Sequence, residues 1–171
     1  GTAAGGAWGG GVGGGGWGGG WAGAGGAEDS PRPGGIEGRA TPRCGMSVFE
    51  ARTRDCQQRL QEAGAAGAVL FPSPNLSYLG GFEETPSERH LLLFVPSEGD
   101  PAFVAPALYA EQLREETWVA DVRTYTDSED PESLVADVAA DLDMDEGELL
   151  VDSTMWARFT QSLRETLPDA T

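Results

Sequence analysis

The residues able to do chemistry in this chain are few, and their spacing excludes most of it. His90 is the only histidine, so a metal centre built on several imidazoles is ruled out. Its place at the start of an apolar run reads as a packed or surface ring. Neither Cys44 nor Cys56 has the histidine neighbour that a nucleophilic pair needs. There is no Gly-x-Ser-x-Gly elbow and no phosphate-cradling glycine loop. Carboxylates are plentiful. In "DLDMDEGELLVD", Asp141, Asp143, Asp145 and Asp152 stand at positions 1, 3, 5 and 12 of a calcium loop. The fit fails where Glu146 replaces the glycine of the sharp turn, with Gly147 one residue late, and where the second half reads as a strand. A solvated acidic turn is the expectation. No residue of the chain is expected to act as a catalyst or to hold a metal or other cofactor.

A second stretch, "NLSYLGGFEETPSERHLLLFVP", carries more. A polar turn from Asn75 leads to Tyr78, Leu79, Gly80, Gly81 and Phe82. An acidic, proline-broken loop follows, then Arg89 and the apolar run Leu91 to Val95. Glycines permit backbone geometries closed to other residues and a close approach of neighbouring chain. Asn75, Gly80 and Gly81 are therefore expected to form a structural loop that presents Tyr78 and Phe82. Arg89 opens a strand, where a long side chain projects outward. It can meet a ligand carboxylate there, or pair with Glu88 or Glu84.

The elements that must hold these residues alternate in type. Ser47 and Glu50 have the capping-box spacing, and Phe49, Cys56, Leu60 and Ala63 recur at helical spacing until Gly64. Ala68–Phe71, Leu91–Val95 and Pro101–Val104 read as short buried strands, the last two joined by the turn-like "PSEGDP". "PALYAEQLREE" reads as a helix, "WVADVRTYT" as a strand and "DPESLVADVAADL" as a helix with acid at its start. Glu148–Val151 is a further strand and "STMWARFTQSLRETL" a last helix. The pattern predicts an α/β domain over residues 46–171, a mixed, mostly parallel sheet flanked by helices on both faces. After "LPDAT" another strand could begin.

Residues 1–45 are of another kind. They hold 20 of the 26 glycines, three scattered Trp and no apolar periodicity. Such a segment buries too little to offset the entropy of ordering, so it is expected to be disordered. The first Met is Met46, and "IEGR" (36–39) matches a factor Xa cleavage site. The segment is therefore expected to be upstream or non-native sequence. It lacks the basic and apolar regions of a signal peptide, and no run approaches the ~18 apolar residues of a membrane span. Its charges cancel, which leaves the whole net charge of −17 on residues 46–171. All 11 basic residues are Arg. A densely acidic, lysine-free surface suits a high-salt cytoplasm and repels nucleic acid and anionic membranes. Two cysteines without a framework suit a reducing cytosol.

The ordered set Asn75, Tyr78, Leu79, Gly81, Phe82 and Arg89, within its run of elements, resembles the N-terminal domain of the creatinase, prolidase and aminopeptidase P family. The resemblance spans residues 46–171. It implies a non-catalytic domain whose loops roof an active site, often the dimer partner's, with Arg89, Tyr78 and Phe82 facing substrate. It also implies a C-terminal catalytic domain, absent from this sequence, in which two Asp, one His and two Glu hold two divalent metal ions. The chain alone is then expected to hydrolyse nothing. Its parent would be a cytoplasmic, homodimeric Xaa-Pro aminopeptidase or dipeptidase acting on short proline-containing peptides. The alternative is a stand-alone α/β binding or assembly module without a peptidase partner domain.

The charge yields the first test. Molar KCl, which shortens the Debye length to ~3 Å, is expected to raise the thermal midpoint by screening carboxylate repulsion. A midpoint that stays flat or falls across that range would remove the halophilic reading.

Overall fold

The computed structural model describes residues 47–171, so the expectations for the Gly-rich segment lie outside the described residues. Helix α1 (Val48–Ala63) starts where the sequence says it should. Ser47 Oγ accepts the Glu50 amide at 3.1 Å. The reciprocal half of the capping box is missing, because the Glu50 carboxylate takes Arg54 at 2.8 Å instead. At the other end Gly64 turns left-handed at φ 75°, and the Gly64 and Ala65 amides reach back to the Gln61 and Leu60 carbonyls. That pair of bonds satisfies two carbonyls the helix would otherwise leave bare.

The remaining elements follow as β1 (Gly67–Leu70), α2 (Pro74–Gly80), β2 (Leu92–Pro96), β3 (Ala102–Pro106), α3 (Ala110–Glu116), β4 (Asp121–Tyr125), α4 (Pro131–Asp141), β5 (Leu149–Val151) and α5 (Ala157–Thr166). They build one five-stranded sheet in the order β4-β3-β2-β1-β5. Its central strands read as continuous apolar runs because both faces are covered. Leu92 and Phe94 of β2 pack toward α4 and α5 with Val69, Val138 and Phe159. Leu91, Leu93 and Val95 pack toward α1, α2 and α3 with Leu60, Leu79 and Leu113.

The mixed sheet between helical layers is as expected, with two differences in detail. The β1–β5 and β3–β4 ladders are parallel, whereas β1–β2 and β2–β3 are antiparallel, so the two kinds are balanced. The chain leaves β1 and re-enters at β2 on the same end of the sheet, where Leu70 pairs with Leu93. A helix of only seven residues does not carry it back to the far end, so no parallel crossover forms. The second difference is α2 itself. Asn75 and Gly80, expected in a loop, lie inside this helix, and Gly81 is its left-handed cap at φ 74°. Gly80 is required there by packing: a Cβ would sit 2.9 Å from Phe103 Cζ.

Gly67 is the tightest approach in the sheet. A Cβ there would fall 2.8 Å from the Val95 carbonyl oxygen and 2.5 Å from Met144 Cε. The thioether can move but the backbone oxygen cannot, so Gly67→Ala is expected to cost ~1–3 kcal/mol in urea unfolding. Unchanged stability would mean that β1 shifts freely against β2.

Candidate functional site

Strands β1, β3, β4 and β5 all end at one edge of the molecule, and β2 begins there. The loops beyond them hold the polar side chains, where open α/β sheets place ligands. Three groups of interactions organise this end.

The first centres on Asp152, just past β5. Its carboxylate is buried and accepts four hydrogen bonds: Ser73 Oγ at 2.6 Å, Asn75 Nδ2 at 3.0 Å, the Thr154 amide at 2.8 Å and Thr154 Oγ1 at 2.6 Å. Burial is the largest single influence on this carboxyl and pushes its pKa up. The hydrogen bonds from Ser73, Thr154 and Asn75 together outweigh it and hold the group below its ordinary value. Ser73 also receives the Leu76 amide, which makes it the N-cap of α2. Asp152 thereby fixes where that helix begins.

The second group fixes where α2 ends. Its last carbonyls have no partner within the helix, and side chains from elsewhere supply one. Arg52 Nη1 reaches the Tyr78 carbonyl at 3.4 Å, Trp118 Nε1 the Leu79 carbonyl at 2.7 Å, and Thr117 Oγ1 the Gly80 carbonyl. The Arg52 guanidinium also lies 4.1 Å from the centre of the Tyr78 ring, which is half exposed. Phe82 does not follow Tyr78 outward. It is fully buried, edge-on to Phe103 and Tyr109, which corrects the expectation that it faces a ligand. The left-handed turn at Gly81 sends the next residue into the core between α2 and α3.

The third group surrounds Arg89. Its guanidinium pairs end-on with the Asp127 carboxylate, Nη1 to Oδ1 and Nη2 to Oδ2, and not with Glu88 or Glu84. Asp127 stands on a turn held rigid by Glu129, whose carboxylate accepts the Thr126 amide at 2.6 Å and Oγ1 at 2.8 Å. Beside it His90 is buried against the Phe159 ring, with Nε2 at 3.4 Å from Ser162 Oγ. Burial lowers its pKa, against the nearby Glu132 carboxylate, so the ring is neutral at neutral pH. Tyr125 donates its hydroxyl to the His90 carbonyl at 3.2 Å and ties β4 to the start of β2.

Arg89 lines a shallow pocket with His90, Tyr125, Asp127, Glu132 and Arg158. Tyr78 lines a different groove, with Ser73, Glu83, Glu84, Pro86 and Thr154. The two residues therefore share an end of the sheet but not a pocket. Among the described residues no three His, Cys, Asp or Glu side chains converge as metal ligands. Asp141 is drawn to Arg123 at 2.6 Å and Asp152 to Ser73, so the calcium-like spacing comes apart in space. Sequence reasoning missed Asp127, Tyr125 and the anchoring role of Asp152. For α2 a signal was available, since Ser73-Pro74 has the form of an N-cap followed by proline at the first helical position.

The family model described as "Creatinase/Prolidase N-terminal domain" matches residues 52–171. An Xaa-Pro dipeptidase of Lactobacillus helveticus is 37% identical over 81 residues, 47% of this chain and 22% of that protein. The chain thus aligns with about a fifth of the length of such relatives. A prolidase of Thermococcus sibiricus superposes with a TM-score of 0.66 at 29% identity, over 74% of this chain and 34% of that one. The N-terminal domain of an Xaa-Pro dipeptidase from Lactobacillus brevis gives 0.65 at 26% identity, over 70% and 90%.

The Asp152 network has a pH signature. Its folded-state pKa is depressed, so its contribution is complete above the unfolded value near pH ~4 and is lost as pH falls through the native value. Asp152→Asn is expected to cost ~1–3 kcal/mol at pH 7 and to flatten the acid limb of the stability profile. An unchanged acid limb would show that the carboxylate stabilises nothing.

Proposed function

Because this chain belongs to the creatinase/prolidase N-terminal domain family, we propose that it is the non-catalytic, substrate-gating domain of an Xaa-Pro peptidase. The match across residues 52–171 carries this reading. In the complete protein a C-terminal half would hold two divalent ions and activate water against the bond next to proline. Among the described residues no cluster of ligands fits that role, and the part proposed for this domain lies outside the hydrolytic step. Its part is to present loops at the carboxyl ends of the strands and to limit access to short proline-containing peptides. A homodimer, in which the loops of one protomer roof the site of the other, accords with this role. The charge of −17 disfavours nucleic acid and anionic membranes as partners and suits a salt-rich cytoplasm. No helix among the described residues is long and apolar enough to cross a membrane.

Within this reading Arg89 and Tyr78 face substrate, and Phe82 supports Tyr78's corner from inside. The pair with Asp127 engages both terminal nitrogens of Arg89 and leaves its Nε side for a second carboxylate. Arg89→Ala in the full-length enzyme is expected to lower kcat/KM by about tenfold or more, with the melting of the domain unchanged, because a charge-assisted contact is lost. Asp127→Asn should have a smaller effect in the same direction, since it loosens the aim of Arg89 without removing it. Kinetics unchanged in both variants would make the pair a surface ion pair and remove Arg89 from the site. A reading frame that lacks the two Asp, one His and two Glu would overturn the peptidase assignment itself.

A further inference from the structure

Asp152 and His90 are the buried side chains whose charge can change between acid and neutral pH. Asp152 is fully supplied with donors, but His90 is not. Its ring is wedged where the start of β2 meets α4 and α5. The Phe159 ring of α5 meets it edge to face, with centroids 4.9 Å apart and planes at 87°. Nε2 stands 3.4 Å from Ser162 Oγ and 3.9 Å from Glu132 Oε1. Ser162 Oγ in turn donates to Glu132 Oε1 at 3.3 Å. With its proton on Nε2 the neutral ring donates to Ser162, and a chain of hydrogen bonds runs from β2 through α5 to α4.

A second proton on this ring is poorly provided for. Glu132 and the α4 cap Asp130 favour the charged form, whereas Arg158 of α5 opposes it. The Glu132 side chain is 43% exposed, so water weakens its hold. On the β4 side, Tyr125 spends its hydroxyl on the His90 carbonyl, and Glu129 spends its carboxylate on Thr126. Arg89 and Asp127 neutralise each other, which leaves Glu88 as the remaining acid at the pocket's wall. The apolar edge of Phe159 offers a cation nothing. Burial therefore outweighs the carboxylates and disfavours the charged ring.

We propose that His90 is a proton-operated latch: neutral, it holds the middle of α5 against the start of β2, and protonated, it leaves Phe159 for water and lets that contact open. The way out exists, because the ring forms part of the wall of the shallow pocket that Arg89 and Arg158 also line. The strand stays behind when the ring leaves, since Tyr125 holds the His90 carbonyl and the apolar side chains of β2 are buried on both faces. The packed ring takes a proton less readily than a free one, whose pKa is ~6.5. Packing is thus fully favoured above that value and weakens as pH falls below it. Each unit of separation between packed and free ring is worth about tenfold in the ratio of open to closed. Arg89 stands one residue ahead, so the latch acts on the footing of the side chain proposed to face substrate. The latch itself needs no peptidase role.

The test is a titration of the chain by NMR from about pH 7.5 to about pH 5, a range above that in which Asp152 takes its proton. His90 is the only histidine, so one set of imidazole signals reports it. The ring is expected to titrate with a midpoint below ~6.5. Its nuclear Overhauser contacts with the Phe159 ring should fade along the same curve, while those between β2 and β3 persist. Over the same range the thermal midpoint should fall by ~2–5 °C more than in His90→Gln, which keeps a donor for Ser162 but takes no charge. A ring that titrates at or above ~6.5, or that stays against Phe159 down to about pH 5, overturns the latch. Equal falls in the two chains overturn it as well. The imidazole titration needs no variant and decides the matter if His90→Gln fails to fold.

Discussion

A carboxylate taken out of water has to find donors, and the way Asp152 finds them sets the geometry of the whole functional end. Its four hydrogen bonds come from two segments far apart in sequence, the start of α2 with its N-cap and the turn behind β5. With Ser73 held, the first residue of α2 is fixed. A seven-residue helix of fixed start has a fixed end, and there Arg52, Trp118 and Thr117 receive its carbonyls. Only from that anchored end can Gly81 turn the chain so that Phe82 enters the core while Tyr78 stays outside. The side chains proposed to face substrate are thus placed by a polar framework and not by the loop's own preferences.

Arg89 is held on a similar principle by different means. Its pair with Asp127 is exposed, and exposed pairs contribute little to stability. What it supplies is direction, because the turn bearing Asp127 is braced by Glu129 and the neighbouring strand end by the Tyr125 hydroxyl. The site therefore joins a rigid buried anchor at α2 to a surface arginine whose aim is preset but whose release is easy. Such a combination accords with the role proposed for Arg89 and Tyr78.

Much of the fold was legible because its signals are local. The Ser47 cap, the Gly64 stop, the apolar runs of β2 and β3 and the Asp130 start of α4 each lie within a few residues of what they determine. The resemblance carried by Asn75, Tyr78, Gly81 and Arg89 was legible too, and it led to the right family. What was misread depends on distance. The segment from Asn75 to Gly81 looks like a loop because its pair of glycines argues against helix, and the partners that stabilise it as α2 lie more than twenty residues away. Arg89 has Glu84 and Glu88 just ahead of it in sequence, yet its partner is 38 residues on. The antiparallel β1–β2 ladder follows from the shortness of α2, which could not be known before α2 was recognised as a helix.

The bond between Ser73 and Asp152 also joins residues 79 positions apart, and this bears on how the molecule is made. On a ribosome the N-terminal half of the sheet emerges first, and its β2–β3 hairpin can pair at once. The cap of α2 cannot be completed until β5 and Asp152 have left the exit tunnel. Until then α2 is a two-turn helix without its anchor, too short to persist in water. The nascent domain thus carries the start of α2, and the placing of Tyr78, unsettled through most of its synthesis. That end of the sheet is assembled in a late step, once Asp152 has emerged.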